Sequence, residues 1–169
     1  RLDAGRRIRS MASRQGDWLT IGARQWDLSK KAHVYVIGAG KACNAMAMAM
    51  ESILGDRLTH GIAIVKIQDP QDCLTRIKVR VGGHPIPTQA GYDASVEILD
   101  LVEQSGPDDL FICLMSGGSS ALMSCPVPGI SLEDERAATD ILLKSGAGIR
   151  EINAVRRHIS RINGGRLAQ

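Results

Sequence analysis

Three short segments of this chain gather residue types that bind or move charge. Gly38-Ala39-Gly40-Lys41-Ala42 sits between an apolar run and an alanine-rich one. Backbone N–H groups at a helix start bind phosphate or carboxylate, and glycines there admit close approach. Lys41 adds a mobile positive charge at the same place. Ser116-Gly117-Gly118-Ser119-Ser120 also follows an apolar run, and its three hydroxyls and two glycines can ring an oxyanion with donors. In the last segment Asn153, Arg156, Arg157 and Ser160 recur at helical spacing and project together. An arginine so placed suits phosphate or carboxylate through bidentate bonding. His84, between Gly83 and Pro85, lies in a loop after a strand and is placed to face the same cleft. Each feature also has a plainer reading: a tight turn with a solvated lysine, a polar turn, a packed or surface histidine, a solvated basic helix face.

Other chemistries fit less well. A dinucleotide-binding fingerprint fails because Cys43 stands at the third glycine position and the next strand ends near Lys66, with no acid for a ribose. A P-loop fails because Tyr35 replaces its upstream glycine and Ala42 replaces the Ser or Thr that would hold Mg²⁺. The Gly-x-Ser-x-Gly elbow of serine hydrolases is absent. His33, His60 and His158 have no metal-ligand spacing, and Cys43, Cys73, Cys113 and Cys125 form no Cys-x-x-Cys pair. Met46, Met48 and Met50 read as core and near-core positions of a helix. No metal site is expected from these residues.

The elements that must position these groups alternate. Val34 to Ile37 predicts a strand ended by Gly38, and Lys41 to Leu54 a helix. Ile62 to Val65 and Ile77 to Val81 predict two more strands, and Gly82 to Pro87 a loop. Thr88 to Gln104 predicts an amphipathic helix with Ala94, Ile98, Leu101 and Val102 inward. Leu110 to Met115 predicts a buried strand. Ser131 opens a helix with a capping box to Asp134, and a last helix runs from Ile149 to Ile162. Its buried stripe is Ile152, Val155, Ile159 and Ile162, with the polar stripe opposite. Arg1, Arg6, Arg7, Arg9 and Arg14 predict an exposed helix face near the start. The fold class that follows is α/β, a Rossmann-like, doubly wound, mainly parallel sheet. Ligands of such sheets bind at the carboxyl ends of strands, where Gly38–Lys41 and Ser116–Ser120 fall.

Composition narrows the partners. The chain has 169 residues, 44% hydrophobic, which is one domain's length with enough apolar residues for a core. Its net charge of +3 is unevenly placed: +5 over residues 1–31, −7 over 32–143 and +5 over 144–169. Basic ends around an acidic body suit a small anionic ligand better than a nucleic acid, which calls for a continuous basic stripe. Five aromatic residues are too few for stacking platforms. No apolar run reaches membrane-spanning length and no signal-peptide pattern opens the chain. Scattered single thiols suit a reducing cytosol, so the expected location is cytoplasmic.

Taken in order, the motifs resemble the N-terminal domain of the glycerate 2-kinase family, some of whose members carry the label hydroxypyruvate reductase. The resemblance rests on Ile37–Ala42, Gly83–Pro87, Ser116–Leu122, Ile152–Ser160 and Gly164–Ala168, and it covers nearly the whole chain. It implies ATP- and Mg²⁺-dependent phosphorylation of D-glycerate at its 2-hydroxyl. It also implies a Rossmann-like domain over residues 1–169, incomplete, that faces a C-terminal domain across the cleft. Lys41 matches the family's catalytic lysine. The serine–glycine loop would then hold phosphate or the glycerate carboxylate, with Asn153 and Arg156 lining the cleft. Two positions depart from the family pattern: Ser119 where a third glycine is usual, and Asn163 where a lysine is usual. The family's downstream acidic motif is absent, so no Mg²⁺ ligand or general base is visible, and the chain by itself is expected to have little or no kinase activity. The alternatives are an NAD(P)H-dependent hydroxypyruvate reductase and a sugar-phosphate binding or isomerase-type domain.

Overall fold

The structure is a computed structural model that describes residues 3–68 and 73–168. Its centre is a four-stranded parallel sheet of β4 (Val34–Ala39), β5 (His60–Val65), β6 (Ile77–Val81) and β7 (Leu110–Met115), ordered β6-β5-β4-β7. Crossovers run through α2 (Cys43–Leu54), between β4 and β5, and α3 (Gln89–Glu103), between β6 and β7. Alternate strand residues serve opposite faces. Val34, Val36, Ala63 and Val65 pack with Ala47 and Met50 of α2, whereas Ile37, Ala39, Ile62 and Ile64 pack with Ala94 and Ile98 of α3. β4 and β5, central in the sheet, are covered on both faces, which is why they read as unbroken apolar runs, whereas edge strand β6 alternates Ile77, Val79 and Val81 with Lys78 and Arg80. The α/β doubly wound expectation holds. Strand order reverses between β4 and β7, so the ligand crevice of this fold opens at their carboxyl ends.

Several boundaries move from their expected places. β4 runs through Gly38 to Ala39, because the strand there lies too close to β7 for a side chain: a methyl on Gly38 would stand 2.9 Å from Leu114 Cβ. The helix after it starts at Cys43 instead of Lys41, leaving Gly40–Ala42 as the turn. Thr88 caps α3, and its inward residues are Gly91, Ala94, Ser95, Ile98 and Leu99, with Leu101 and Val102 half-buried at the edge of that core. Ser119 and Ser120 are not loop but the start of a short helix, α4 (Ser119–Leu122). Ser131 forms its capping box with Asp134 at the head of α5 (Leu132–Lys144). The last helix, α6 (Ile149–Ile159), stops three residues early, and Ile162 is buried beyond its end.

The N-terminal region differs most. Helix α1 (Ala4–Met11) carries Arg6, Arg7 and Arg9 exposed, as expected, but Arg14 lies on a strand. Strands β1 (Ala12–Gln15), β2 (Trp18–Ile21) and β3 (Arg24–Asp27) form a separate antiparallel sheet. Its two turns hold Gly16 and Gly22, both at φ 58°, at the first turn position, the arrangement that a tight two-residue hairpin requires. Leu19 and Leu28 drive this sheet into the core on the α2 side. An apolar cavity of about 420 Å³ lies beside it, lined among others by Leu19, Trp26, Met46, Met50 and Phe111. It is without charged lining. No helix among the described residues is long and apolar enough to cross a membrane.

Candidate anion site at the sheet reversal

The structure brings Gly38, Gly40, Lys41, His84 and Ser116 to Ser120 together at the carboxyl ends of β4 and β7. The two loops are knitted to each other. The Gly40 amide donates to the Ile64 carbonyl at 3.1 Å, Lys41 N–H to the Gly117 carbonyl at 3.0 Å and Ala42 N–H to the Ser116 hydroxyl at 3.1 Å. Ser116 N–H in turn donates to the Ala39 carbonyl at 3.1 Å. The turn thus differs from the expectation that its own amides bind the ligand. The amides of the Gly38–Lys41 turn are already satisfied inside the protein, so what this turn offers a ligand is the Lys41 side chain. That side chain is exposed and makes no salt bridge among the described residues.

The free backbone donors belong to the serine loop. The Gly117 and Gly118 amides make no backbone hydrogen bond among the described residues, and Gly118 takes φ 92°, a conformation that favours glycine. A methyl on Gly118 would stand 2.8 Å from Cδ2 of His84 and 3.4 Å from Cε of Lys41. The absence of a side chain at Gly118 is what lets the imidazole and the lysine meet over this loop.

Arg156 and Asn153 arrive from α6, but not as a solvated stripe. Arg156 is only 5% exposed. It donates to the Pro85 carbonyl at 2.6 Å and, more weakly, to the Ser120 hydroxyl at 3.4 Å, while Nε has no partner. Ser120 in turn donates to Asn153 Oδ1 at 3.4 Å. The polar face of α6 is therefore turned inward here, because a long cation can reach carbonyl oxygens of the His84 loop that would otherwise lie buried and unpaired. Behind Arg156 lies Glu135 of α5, buried and hydrogen-bonded to the Ser124 hydroxyl. Burial pushes the Glu135 carboxyl above its usual range, and the positive charge of Arg156 opposes that.

Electrostatics around His84 point one way. Burial, then the charges of Lys41, Lys66 and Arg156, hold its imidazole below its usual value of 6.5. It is neutral at physiological pH and surrounded by cations. Lys66, just past β5, was not singled out by sequence spacing; the signal available was its place one residue beyond a strand end next to β4. This collection of cations, amides and hydroxyls matches phosphate or carboxylate oxygens. It does not match Mg²⁺. Among the described residues no group of three or more His, Cys, Asp or Glu comes together, and Glu135 is already engaged with Ser124. Cys43, where a dinucleotide fingerprint would have its third glycine, is buried under Leu114, and burial pushes its thiol up to about 12.

Comparison with known proteins agrees with this architecture. Residues 1–169 match the family described as Domain of unknown function (DUF4147). The chain belongs to that family. It is 43% identical over 153 residues to glycerate 2-kinase of Pyrococcus horikoshii, covering 90% of this chain and 34% of the relative. It is 43% identical over 134 residues to an Agrobacterium vitis protein named "Putative hydroxypyruvate reductase", covering 79% and 34%. A crystal structure of a Pyrococcus horikoshii protein superposes with a TM-score of 0.87 at 41% identity, covering 98% of this chain and 37% of the other. The chain thus spans about a third of the length of the curated relatives it matches.

Proposed function

We propose that this DUF4147 chain forms the N-terminal part of a glycerate 2-kinase, which transfers the γ-phosphoryl group of ATP to the 2-hydroxyl of D-glycerate. The observation that carries the reading is the seat of Lys41: an unpaired ammonium at the reversal of strand order, facing a serine–glycine loop with free amides. Phosphoryl transfer depends chiefly on positioning and on charge that offsets the negative oxygens of the moving group. Lys41 supplies that charge. The Gly117 and Gly118 amides and the Ser119 hydroxyl hold phosphate or carboxylate oxygens, Gly38 and Gly40 let the two loops close on each other, and His84 adds a neutral ring beside them. Asn153 and Arg156 act from beneath, by fixing Ser120 and the His84 loop. The residues present do not fit Mg²⁺, so the metal ligands of the kinase belong to a further domain across the cleft. In this reading the protein works in the cytoplasm on small molecules, without nucleic acid or membrane.

The name of the A. vitis relative favours a second reading, reduction of hydroxypyruvate by NAD(P)H. Cys43 in place of a glycine and Lys66 in place of a ribose-binding acid argue against it. The deciding assay uses a protein of the relatives' full length carrying this segment. D-glycerate and Mg²⁺-ATP should yield ADP and 2-phosphoglycerate, with no NADPH oxidation by hydroxypyruvate. Lys41→Met should lower kcat by about 10²- to 10³-fold, the usual effect of removing one group that stabilises transition-state charge. NADPH oxidation without ADP formation would replace the kinase by the reductase.

A further inference from the structure

Residue 66 attracts notice in the sequence only as a place where an acid is missing. In the structure its backbone is fixed from both sides. The Val65 carbonyl accepts the Gly82 amide at 2.8 Å, and the Ile67 carbonyl accepts from Nδ2 of Asn44 at 3.4 Å. Gly82 leads into Gly83-His84, and Asn44 lies in the first turn of α2, directly after the Lys41 turn. Lys66 therefore emerges between the His84 loop and the Lys41 turn, at the carboxyl end of the strand next to β4. It is exposed and has no salt bridge among the described residues. Lys41, Lys66 and Arg156 all act on His84, and the main influences on it include no carboxylate. Both ammonium groups face solvent, and an anion held beside His84 is attracted by each of them.

We propose that Lys66 is a second phosphate-binding cation of this cleft, gripping the anion from the β5 side while Lys41 grips it from the β4 side, with His84 between them. This deepens the reading given above and rests on its anion site. It assigns to Lys66 the position where a dinucleotide enzyme carries an acid, so the same spot that repels a second phosphate in such enzymes attracts one here.

The test is a titration of the 169-residue chain with inorganic phosphate, followed by histidine NMR. Phosphate should raise the His84 titration midpoint. Lys66→Met should weaken phosphate binding about 10- to 100-fold, the range for one charge-assisted hydrogen bond, and should also raise the His84 midpoint without phosphate. Lys66→Arg should keep most of the affinity. Lys144→Met, at an exposed lysine that pairs with Asp140 and does not act on His84, should change neither. Phosphate affinity unchanged in Lys66→Met, or weakened equally in Lys66→Arg, would overturn the assignment, as would the absence of phosphate binding to the unaltered chain. Parallel titrations with ADP and with 2-phosphoglycerate show which molecule brings the phosphate. Lys66-dependent binding of inorganic phosphate, together with no response to ATP or D-glycerate, would keep the cation pair and reject the kinase reading alone.

Discussion

Lys41 and Arg156 are both cations of one cleft, and their surroundings give them different work. Lys41 is exposed and free to follow a ligand, whereas Arg156 is buried and committed to the Pro85 carbonyl and Ser120. Helical spacing grouped Asn153, Arg156 and Ser160 but could not say which side of the helix the body of the protein would cover. The burial of Arg156 depends on a carbonyl from a loop 71 residues away, and that is invisible locally. Arg156→Ala leaves that carbonyl unpaired and should cost about 1.5–3 kcal/mol of unfolding free energy, measurable by urea titration. Arg156→Lys should recover little of it, because a point charge cannot reach two acceptors in fixed fork geometry. A loss below about 0.5 kcal/mol in Arg156→Ala would mean that the arginine is solvated after all.

At the scale of elements, strands β5, β6 and β7 and helices α3 and α5 are legible because an apolar run, a strict alternation as in β6, or a cap writes itself into a contiguous stretch. The Ser131–Asp134 box is one such stretch. The β1–β3 sheet was missed because its strands are four residues long and rich in polar groups; its usable signals were Gly16-Asp17 and Gly22-Ala23 set two residues between short runs. Sequence places the turn after β4 but not its role. Which amides are free depends on the partner loop, and Ser116 and Gly117 consume those of Lys41 and Ala42. Gly40 shows how tight this junction is. It has φ 137°, and a methyl there would stand 2.8 Å from the Ser116 carbonyl oxygen. Gly40→Ala should therefore lower stability by about 1–3 kcal/mol and weaken anion binding together. A variant as stable as the parent would show that the two loops are not packed as described.

For the whole molecule, charge and fold converge on one crevice: cations collect at the reversal of strand order, while the apolar cavity beside the N-terminal sheet has no charged lining. Acid should expose this bias. His84 and His60 both sit below the usual imidazole value of 6.5 in the folded chain, each first through burial and then through cationic neighbours. The unfolded chain takes up their protons first as pH falls. Their contribution is therefore full above about 6.5 and is lost as pH drops towards the folded values. Thermal midpoints should fall between about pH 7 and 5, and His84→Gln should flatten that slope; an unchanged slope would place His84 outside the cationic cluster. The proposed kinase function requires that this crevice, with Lys41 in it, be formed before substrate arrives. Thermal unfolding of the chain with Mg²⁺-ATP, D-glycerate or NADPH tests it most directly. A ligand at a hundred times its dissociation constant adds about 2.7 kcal/mol, or roughly 2–8 °C in midpoint. A shift is expected with ATP or D-glycerate that disappears in Lys41→Met, and none with NADPH. A shift with NADPH alone, a shift indifferent to Lys41, or no shift with either kinase substrate would contradict it.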